Sequence, residues 1–532
     1  MGIPSYFSHI IKKYGHIIKP LQPSVKYTGL YMDCNSIIYD CVHKHKEKVS
    51  NMRIIHDVID KIEYYISLIK PSREVFIAFD GVAPFAKLEQ QRERRYKSQL
   101  LRLMDKDNNN EMVFDTNQIT AGTQFMKLLN EEINLHFGER EKVIVSDSSE
   151  YGEGEHKIFQ HIRNYRGDIS REKLVVYGLD ADLIMLCVNH LVTNTCKRDI
   201  FLFRETPEFI KSINANLEPN ANYLLDIPAL KNALRCKSDD YIFLCFFLGN
   251  DFMPHFPSLN IRTNGIYILM NKYSHREPLI DNNGNINWRN VKSLIKRLAT
   301  DEMKRIIQEY NNRNNDKSPK KDIPMLYRHV EHHIMDAIEN TFRRNVESND
   351  SAVKGVLFEN TNPKDEKSLM LSPKGMLFEN QKEFKRRYYQ SLFGIDSEDE
   401  AVIRQVCNNY LEGLEWTFKY YSEGCCDWSW KYNYKYPPLF CDLIKHVPNN
   451  QTSYINADAP KQPIITEVEQ LAYVLPYSSL HFLPKDTYEI CMKHLQYYPQ
   501  NAEMMWAFKR YFWESHVVLP ELDFDIFHRK KL

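Results

Sequence analysis

The sequence predicts an α/β protein: a mostly parallel sheet with flanking helices, and a second, aromatic-rich and mainly helical module packed on it. Three observations predict it. Up to about residue 260, short β-branched and aromatic runs alternate with longer helical patterns, as in strands joined by crossover helices. Four of these runs close on an acidic residue. From about 383 to 520 the alternation gives way to helical periodicity dense in Tyr, Trp and Phe.

The four runs are TGLYMD, EVFIAFD, KVIVSD and KLVVYGLD. They set Asp33, Asp80, Asp147 and Asp180 near the carboxyl edge of the sheet, where open α/β folds bind ligands. Residues 261–310 read as further helices around a turn-rich DNNGN. Two polar stretches then read as poorly ordered. One is NNRNNDKSPKKD; the other, 346–382, holds the near-duplicate heptads KGVLFEN from Lys354 and KGMLFEN from Lys374. A solenoid needs about three stacked units, so 346–382 reads as a linker or insertion between a first domain over 1–345 and a second over 383–532.

Lys+Arg and Asp+Glu both total 70, so the net charge is zero and binding of nucleic acid by bulk positive charge is excluded. Any polyanion must meet a local patch. The longest apolar run, Tyr241 to Leu248, falls far short of the roughly 18 residues a membrane span requires. No membrane association is expected. The start, MGIPSYFSHIIKKYGHI, lacks the pattern of a secretory signal, and Pro4 and Tyr6 argue against acylation at Gly2. Eleven Cys without any CxxC pair point to a reduced, intracellular protein with neither a disulfide framework nor a zinc site. His43/His45 and His332/His333 have no partner at metal-ligand spacing and read as surface.

Three constellations could carry chemistry. The first is acidic: Asp33, Asp80, Glu153 and Glu155 in YGEGEHK, Asp180 and Asp182 in GLDADL, and Asp251 in FLGNDFMPHFP. Carboxylates gathered at one sheet edge cannot all stay ionised without cations, and hard oxygen ligands call for Mg²⁺ or Mn²⁺. A pair of such ions can activate water for attack on a phosphodiester. The second is the basic run AKLEQQRERRYKSQLLR, in which Lys87, Gln91, Arg94 and Arg95 share one helix face suited to a terminal phosphate. The third is YYSEGCCDWSWKYNYKYPPLF, where Trp428 and Trp430, two apart on a strand, could stack single-stranded bases. Each has a plainer reading. An acid after a strand can cap a helix, the basic face can be solvated with Glu89 and Glu93 balancing it, and the aromatic cluster can be packed core.

Together these motifs resemble the XRN family of 5′→3′ exoribonucleases over nearly the whole chain. The resemblance is carried by MGIPSYF, YMDCNSIIYD, FIAFDGVAPFAKLEQQRERR, FDTNQITAGTQFM, SSEYGEGEHKI, YGLDADLIML, FFLGNDFMPHFP, EGLEWTFKYYSEGCCDWSWKYNYKYPPL and EQLAYVLP. It implies a PIN/FEN-like nuclease sheet in the first domain, and hydrolysis of 5′-monophosphorylated single-stranded RNA to nucleoside 5′-monophosphates with two Mg²⁺ or Mn²⁺ ions. It also implies a decapping enzyme acting upstream; a monomer working in the cytoplasm is expected. Asp33, Asp80, Glu153, Glu155, Asp180, Asp182 and Asp251 match the family's metal ligands, and Lys87, Gln91, Arg94 and Arg95 its 5′-phosphate pocket. Pro84 matches a residue that helps exclude duplex, and Trp428 or Trp430 the Trp of the base stack. Tyr39 stands where better-known members have a stacking His, Phe85 where a basic residue is usual, and Tyr151 where Pro commonly precedes GEGE. The sequence ends at Leu532, short of the family's long C-terminal domains, so a short form is expected. The alternatives are a FEN-like flap endonuclease and a catalytically inactive RNA-binding scaffold.

Overall fold

The computed structural model describes every residue except 1, 22–23, 105–113, 166, 168–171, 194–197, 316–380, 501, 506, 509–513 and 529–532. Seven strands form its main sheet: β1 (Ile18–Pro20), β2 (Gly29–Asp33), β3 (Glu74–Ala78), β4 (Val143–Ser146), β5 (Lys173–Tyr177), β6 (Asp199–Glu205) and β7 (Asn222–Asp226). Their order is β1-β7-β6-β5-β2-β3-β4. The four expected strands are β2 to β5, and with β6 they run parallel. β7 and β1 then close the far edge antiparallel. β1, β6 and β7 were not among the expected runs. β1 is three residues long and has only its neighbour to define it, so its sequence carries no period.

Seven helices of this half matter to the site: α1 (Tyr6–Lys13), α2 (Asn35–His43), α3 (Asn51–Ile69), α4 (Phe85–Met104), α5 (Gln124–Phe137), α6 (Gly154–Asn164) and α7 (Asp182–Thr193). One face of the sheet, through Leu30, Met32, Val75, Ile77 and Val175, packs against α2, α3 and α5. The other, through Tyr31, Phe76, Leu174, Val176 and Leu202, packs against α1, α6 and α7. A sheet covered on both faces explains why its strands read as continuous apolar runs rather than alternating ones.

Further helices follow at Ser238–Phe246, Gly265–Lys272, Trp288–Ala299 and Glu302–Asn315, then at Gln381–Phe393, Glu400–Ser422, Phe440–His446, Glu467–Val474 and Lys485–Lys493. A two-stranded antiparallel hairpin, Glu503–Met505 with His516–Val518, accompanies them. Leu411, Leu414, Trp416 and Tyr420 of the long Glu400–Ser422 helix belong to the same continuous core as the α6–α7 face of the sheet. None of the described helices is long and apolar enough to cross a membrane.

The structure corrects three expectations. Asn311–Asn315 of the first polar stretch continue a helix rather than break it; the rest of that stretch, both heptads, His332/His333 and residues 346–380 lie outside the described residues. Trp428 and Trp430 are not on a strand, because the Asp427 carboxylate accepts from the Ser429 N–H (2.8 Å) and hydroxyl (2.7 Å) and turns the chain between them. His45 is not a free surface residue: its Nε2 lies 2.6 Å from Asp57.

Candidate active site

β2 ends on Asp33, and two residues beyond β3 comes Asp80. Asn35, in the first turn of α2, ties these two strand ends together. Its Nδ2 donates to Asp80 Oδ2 (2.8 Å) and its Oδ1 accepts from the Asp80 N–H (3.0 Å). Asp80 Oδ1 in turn accepts from the N–H of Gly154 (2.7 Å), the first residue of α6, where a carboxylate meets the positive end of the helix. Glycine is needed there because a Cβ would come 2.7 Å from Asp33 Oδ1. Lys157, one turn along α6, fastens the ends of β3 and β4 by donating to the carbonyls of Phe79 (2.8 Å) and Asp147 (2.7 Å). Asp147 itself caps its own turn and stays out of the cluster.

Glu153 and Glu155 flank that helix start; Asp180 lies between β5 and α7, and Asp182 is the first residue of α7. Asp251 arrives from the loop after the Ser238–Phe246 helix, its Oδ1 accepting from the Gly2 N–H (3.0 Å). Gly2 has φ +56° and presses on the cluster so closely that a Cβ would lie 1.9 Å from Asp182 Oδ1. Lys87 of α4 reaches into the same place, 2.5 Å from Glu153 and 2.9 Å from Asp251. The helical module supplies Tyr420, whose hydroxyl donates to Glu153 Oε1 (2.5 Å). Tyr420 is packed between Trp416 (4.7 Å, interplanar 16°) and the His156 ring (3.7 Å).

All seven predicted acids therefore join one interacting cluster. Burial, then the charges of Asp80 and Asp180, push Asp33 well above the carboxylate range. Burial and Glu153 do the same to Glu155, and burial with Asp251 pushes Asp182 up to about 7. Asp251 goes the other way, burial being outweighed by Lys87 and the other nearby cations. Three carboxylate oxygens, Asp33 Oδ1, Glu155 Oε2 and Asp182 Oδ1, are buried and accept no hydrogen bond among the described residues. A buried acceptor without a partner costs about 1–3 kcal/mol, so a cation is the natural complement of this set. Hard oxygen donors in this number suit a divalent ion such as Mg²⁺ or Mn²⁺. Ligand atoms of Glu153, Glu155 and His156 also lie within 4.8 Å of one another. Burial holds His156 well below its usual pKa, hence neutral and able to ligate.

The basic face of α4 is not a solvated helix surface. Lys87, Gln91 and Arg95 are buried, and Arg95 donates to Asn117 Oδ1 (3.2 Å), itself bonded to Ser479 (2.8 Å). Arg94 turns instead into a cavity of about 430 Å³ that opens beside Asp251, with Lys97, Arg262, Lys431 and Lys435 on its walls. Glu89 and Glu93 are partnered by Lys431 (3.2 Å) and Lys435 (2.6 Å) of the segment that follows the Glu400–Ser422 helix. Pro84 is buried at the start of α4. Tyr39 packs partly buried against the α2–α3 core.

Neither Trp offers an open ring face. Trp430 is 8% exposed and stacked on Trp416 (5.0 Å, 25°), as the packed-core reading requires. Trp428 is 5% exposed, edge-on to Tyr151, with its carbonyl accepting from the Phe85 N–H (3.1 Å). Reading the sequence overlooked Gly2, Asn35, His156, Lys157 and Tyr420. The first four stand beside the acids in motifs already singled out. Tyr420 had no local signal, since 267 residues separate it from Glu153.

A family model described as the XRN 5′-3′ exonuclease N-terminus matches residues 1–206, and one described as the Xrn1 helical domain matches residues 234–528. A protein named 5′-3′ exoribonuclease 2 from Debaryomyces hansenii is 26% identical over 98% of this chain and 69% of its own length. Its namesake from Arabidopsis thaliana is 28% identical over 98% of this chain and 66% of its own. The 5′-3′ exoribonuclease 1 of Homo sapiens is 26% identical over 98% of this chain but only 33% of that protein. Among solved structures, the catalytic core of Rad2 in complex with DNA substrate covers 62% of this chain and 84% of that one, at 15% identity and a TM-score of 0.33.

Proposed function

Because the chain belongs to the XRN family of 5′→3′ exonucleases, we propose that it is an exoribonuclease of RNA turnover that removes nucleoside 5′-monophosphates from the 5′ end of single-stranded RNA. The observation that carries this reading is the buried acidic cluster, with oxygens on Asp33, Glu155 and Asp182 that have no hydrogen-bond partner among the described residues.

Asp33, Asp80, Glu153, Glu155, Asp180, Asp182 and Asp251 would hold two Mg²⁺ or Mn²⁺ ions. Bound there, the ions would supply activated water and neutralise the charge that develops on the phosphodiester. The chain's own groups set the geometry. Asn35 and the Gly154 N–H orient Asp80, and Tyr420 holds Glu153. Lys87, Gln91, Arg94 and Arg95 would receive the terminal phosphate, Arg through its planar fork of donors. Tyr39, Pro84 and Trp428 would border the entering strand. A decapping enzyme acting upstream would make the monophosphate end, and the protein would work as a monomer in the cytoplasm.

The test follows a 3′-labelled single-stranded RNA with Mg²⁺, comparing 5′-monophosphate, 5′-triphosphate and 5′-hydroxyl ends, with Asp180→Ala as control. Decay of the monophosphorylated RNA alone, abolished in the variant, is the expected result. Equal decay of all three ends would sink the end-reading pocket, and no Mg²⁺-dependent decay would sink the enzyme.

A further inference from the structure

Among the described residues, large apolar side chains left substantially exposed are few, and Tyr151 is the one on a loop that carries site carboxylates. It stands two residues before Glu153, with half of its surface (50%) open to water. The loop beneath it is stiff. Gly152, at φ +102°, donates its N–H to the Val82 carbonyl (2.7 Å) and accepts from the Gly81 N–H (2.9 Å). These two bonds clamp the Tyr151 loop to the loop that follows Asp80. Gly81 permits so close an approach because a Cβ there would lie 1.8 Å from the Glu150 carbonyl oxygen. On its inner side the Tyr151 ring meets Trp428 edge to face, at 5.5 Å and 84°. Trp428 is itself pinned by backbone bonds to Phe85 (3.1 Å) and Pro460 (2.8 Å).

The Tyr151 ring is thus braced on one side by Trp428 and half open to water, on the loop that supplies Glu153 and that is clamped to the loop following Asp80, with Trp428 itself bonded to the first residue of the helix that bears Lys87. A ring fixed in this way presents an aromatic face at little entropic cost, which is what stacking on an unpaired base needs. Trp428 can brace that ring but, buried as it is, has little surface of its own to offer.

We propose that Tyr151 is a further substrate-binding residue, stacking on a base of the single-stranded RNA as the strand passes over the acidic site. The proposal rests on the exoribonuclease reading above and adds to it a specific contact.

Binding of a 5′-monophosphorylated oligoribonucleotide, in EDTA so that nothing is cleaved, tests it. Tyr151→Ala should weaken binding about five- to a hundredfold, while Tyr151→Phe and Tyr151→Trp stay within about twofold of wild type. An abasic nucleotide scanned along the 5′ end should erase the difference between Tyr151→Ala and wild type at one position only. In steady-state kinetics with Mg²⁺ the loss should fall on KM rather than kcat. Unchanged affinity in Tyr151→Ala, or the same loss at every abasic position, would overturn the proposal, as would Tyr151→Phe losing as much as Ala. Wild-type protein that binds the RNA without degrading it would defeat the enzyme reading and leave the stack standing, so the two failures are told apart.

Discussion

The site is held by residues that are not themselves ligands, and two of them make sharp predictions. Tyr420 touches Glu153 through one hydroxyl, while its ring is fixed by Trp416 and His156. Tyr420→Phe keeps the packing and removes only the donor. Groups that orient a metal ligand are typically worth about 10- to 100-fold in affinity or activity, so Mn²⁺ titration of this variant should show weakening in that range, with the circular dichroism spectrum of the folded protein unchanged. Gly2 acts by having no side chain. Gly2→Ala would drive a methyl group into Asp182 and demand a left-handed backbone of a residue that resists it. At least a tenfold loss of metal affinity is expected, with the circular dichroism spectrum of the folded protein intact.

At the scale of elements, α4 shows how one helix divides its charges. Arg92 is buried and donates to the carbonyls of Pro520 (2.8 Å) and Tyr497 (3.0 Å), with its guanidinium 4.9 Å over the Tyr473 ring. It fastens the C-terminal segments to the helix that bears Lys87. Arg92→Met should cost about 2–4 kcal/mol in urea unfolding, since hydrogen bonds from a charged donor are lost and two carbonyls go unpaired. A second element-level device is Glu302, at the start of its helix, which accepts from the Phe440 N–H (2.8 Å). Burial pushes its carboxyl up to about 8. Between its unfolded value near 4.5 and that value, the folded state holds a proton that the unfolded chain has released. Its contribution to stability is therefore full below about pH 4.5 and lost as pH rises through 8. Glu302→Gln keeps an acceptor without the charge, so melting temperatures of variant and wild type should diverge in the variant's favour from pH 6 to pH 9.

Across the whole molecule, one unbroken core joins the α6–α7 face of the sheet to the Glu400–Ser422 helix, and Tyr420 carries that contact into the site. A boundary of this kind should not unfold in stages. All six Trp lie at residue 288 or later, so Trp fluorescence reports the second half of the chain. Hydrogen exchange in β2, β3 and β5 reports the first. Denaturant midpoints from the two are expected to coincide, and a separation between them would show the halves to be independent.

What the sequence determined by itself was the local part of this arrangement. Runs such as EVFIAFD and KLVVYGLD read as strands, and an acid closing such a run belongs at the carboxyl edge of a parallel sheet, which made Asp33, Asp80 and Asp180 legible, although Asp147 ends the same kind of run and stays out of the cluster. Glu153, Glu155, Asp182 and Asp251 were legible instead from the motifs YGEGEHK, GLDADL and FLGNDFMPHFP. The spacing of Lys87, Gln91, Arg94 and Arg95 likewise placed them together on one helix. It could not say that Lys87 would turn into the acids while Arg94 turned to the cavity beside Asp251. The fates of Trp428 and Trp430, the nearness of Gly2 to Asp182, and the reach of Tyr420 to Glu153 were decided only by the tertiary structure. Each depends on segments far apart in the chain being pressed together, and neither periodicity nor motif spacing encodes which side chain meets which across such a contact.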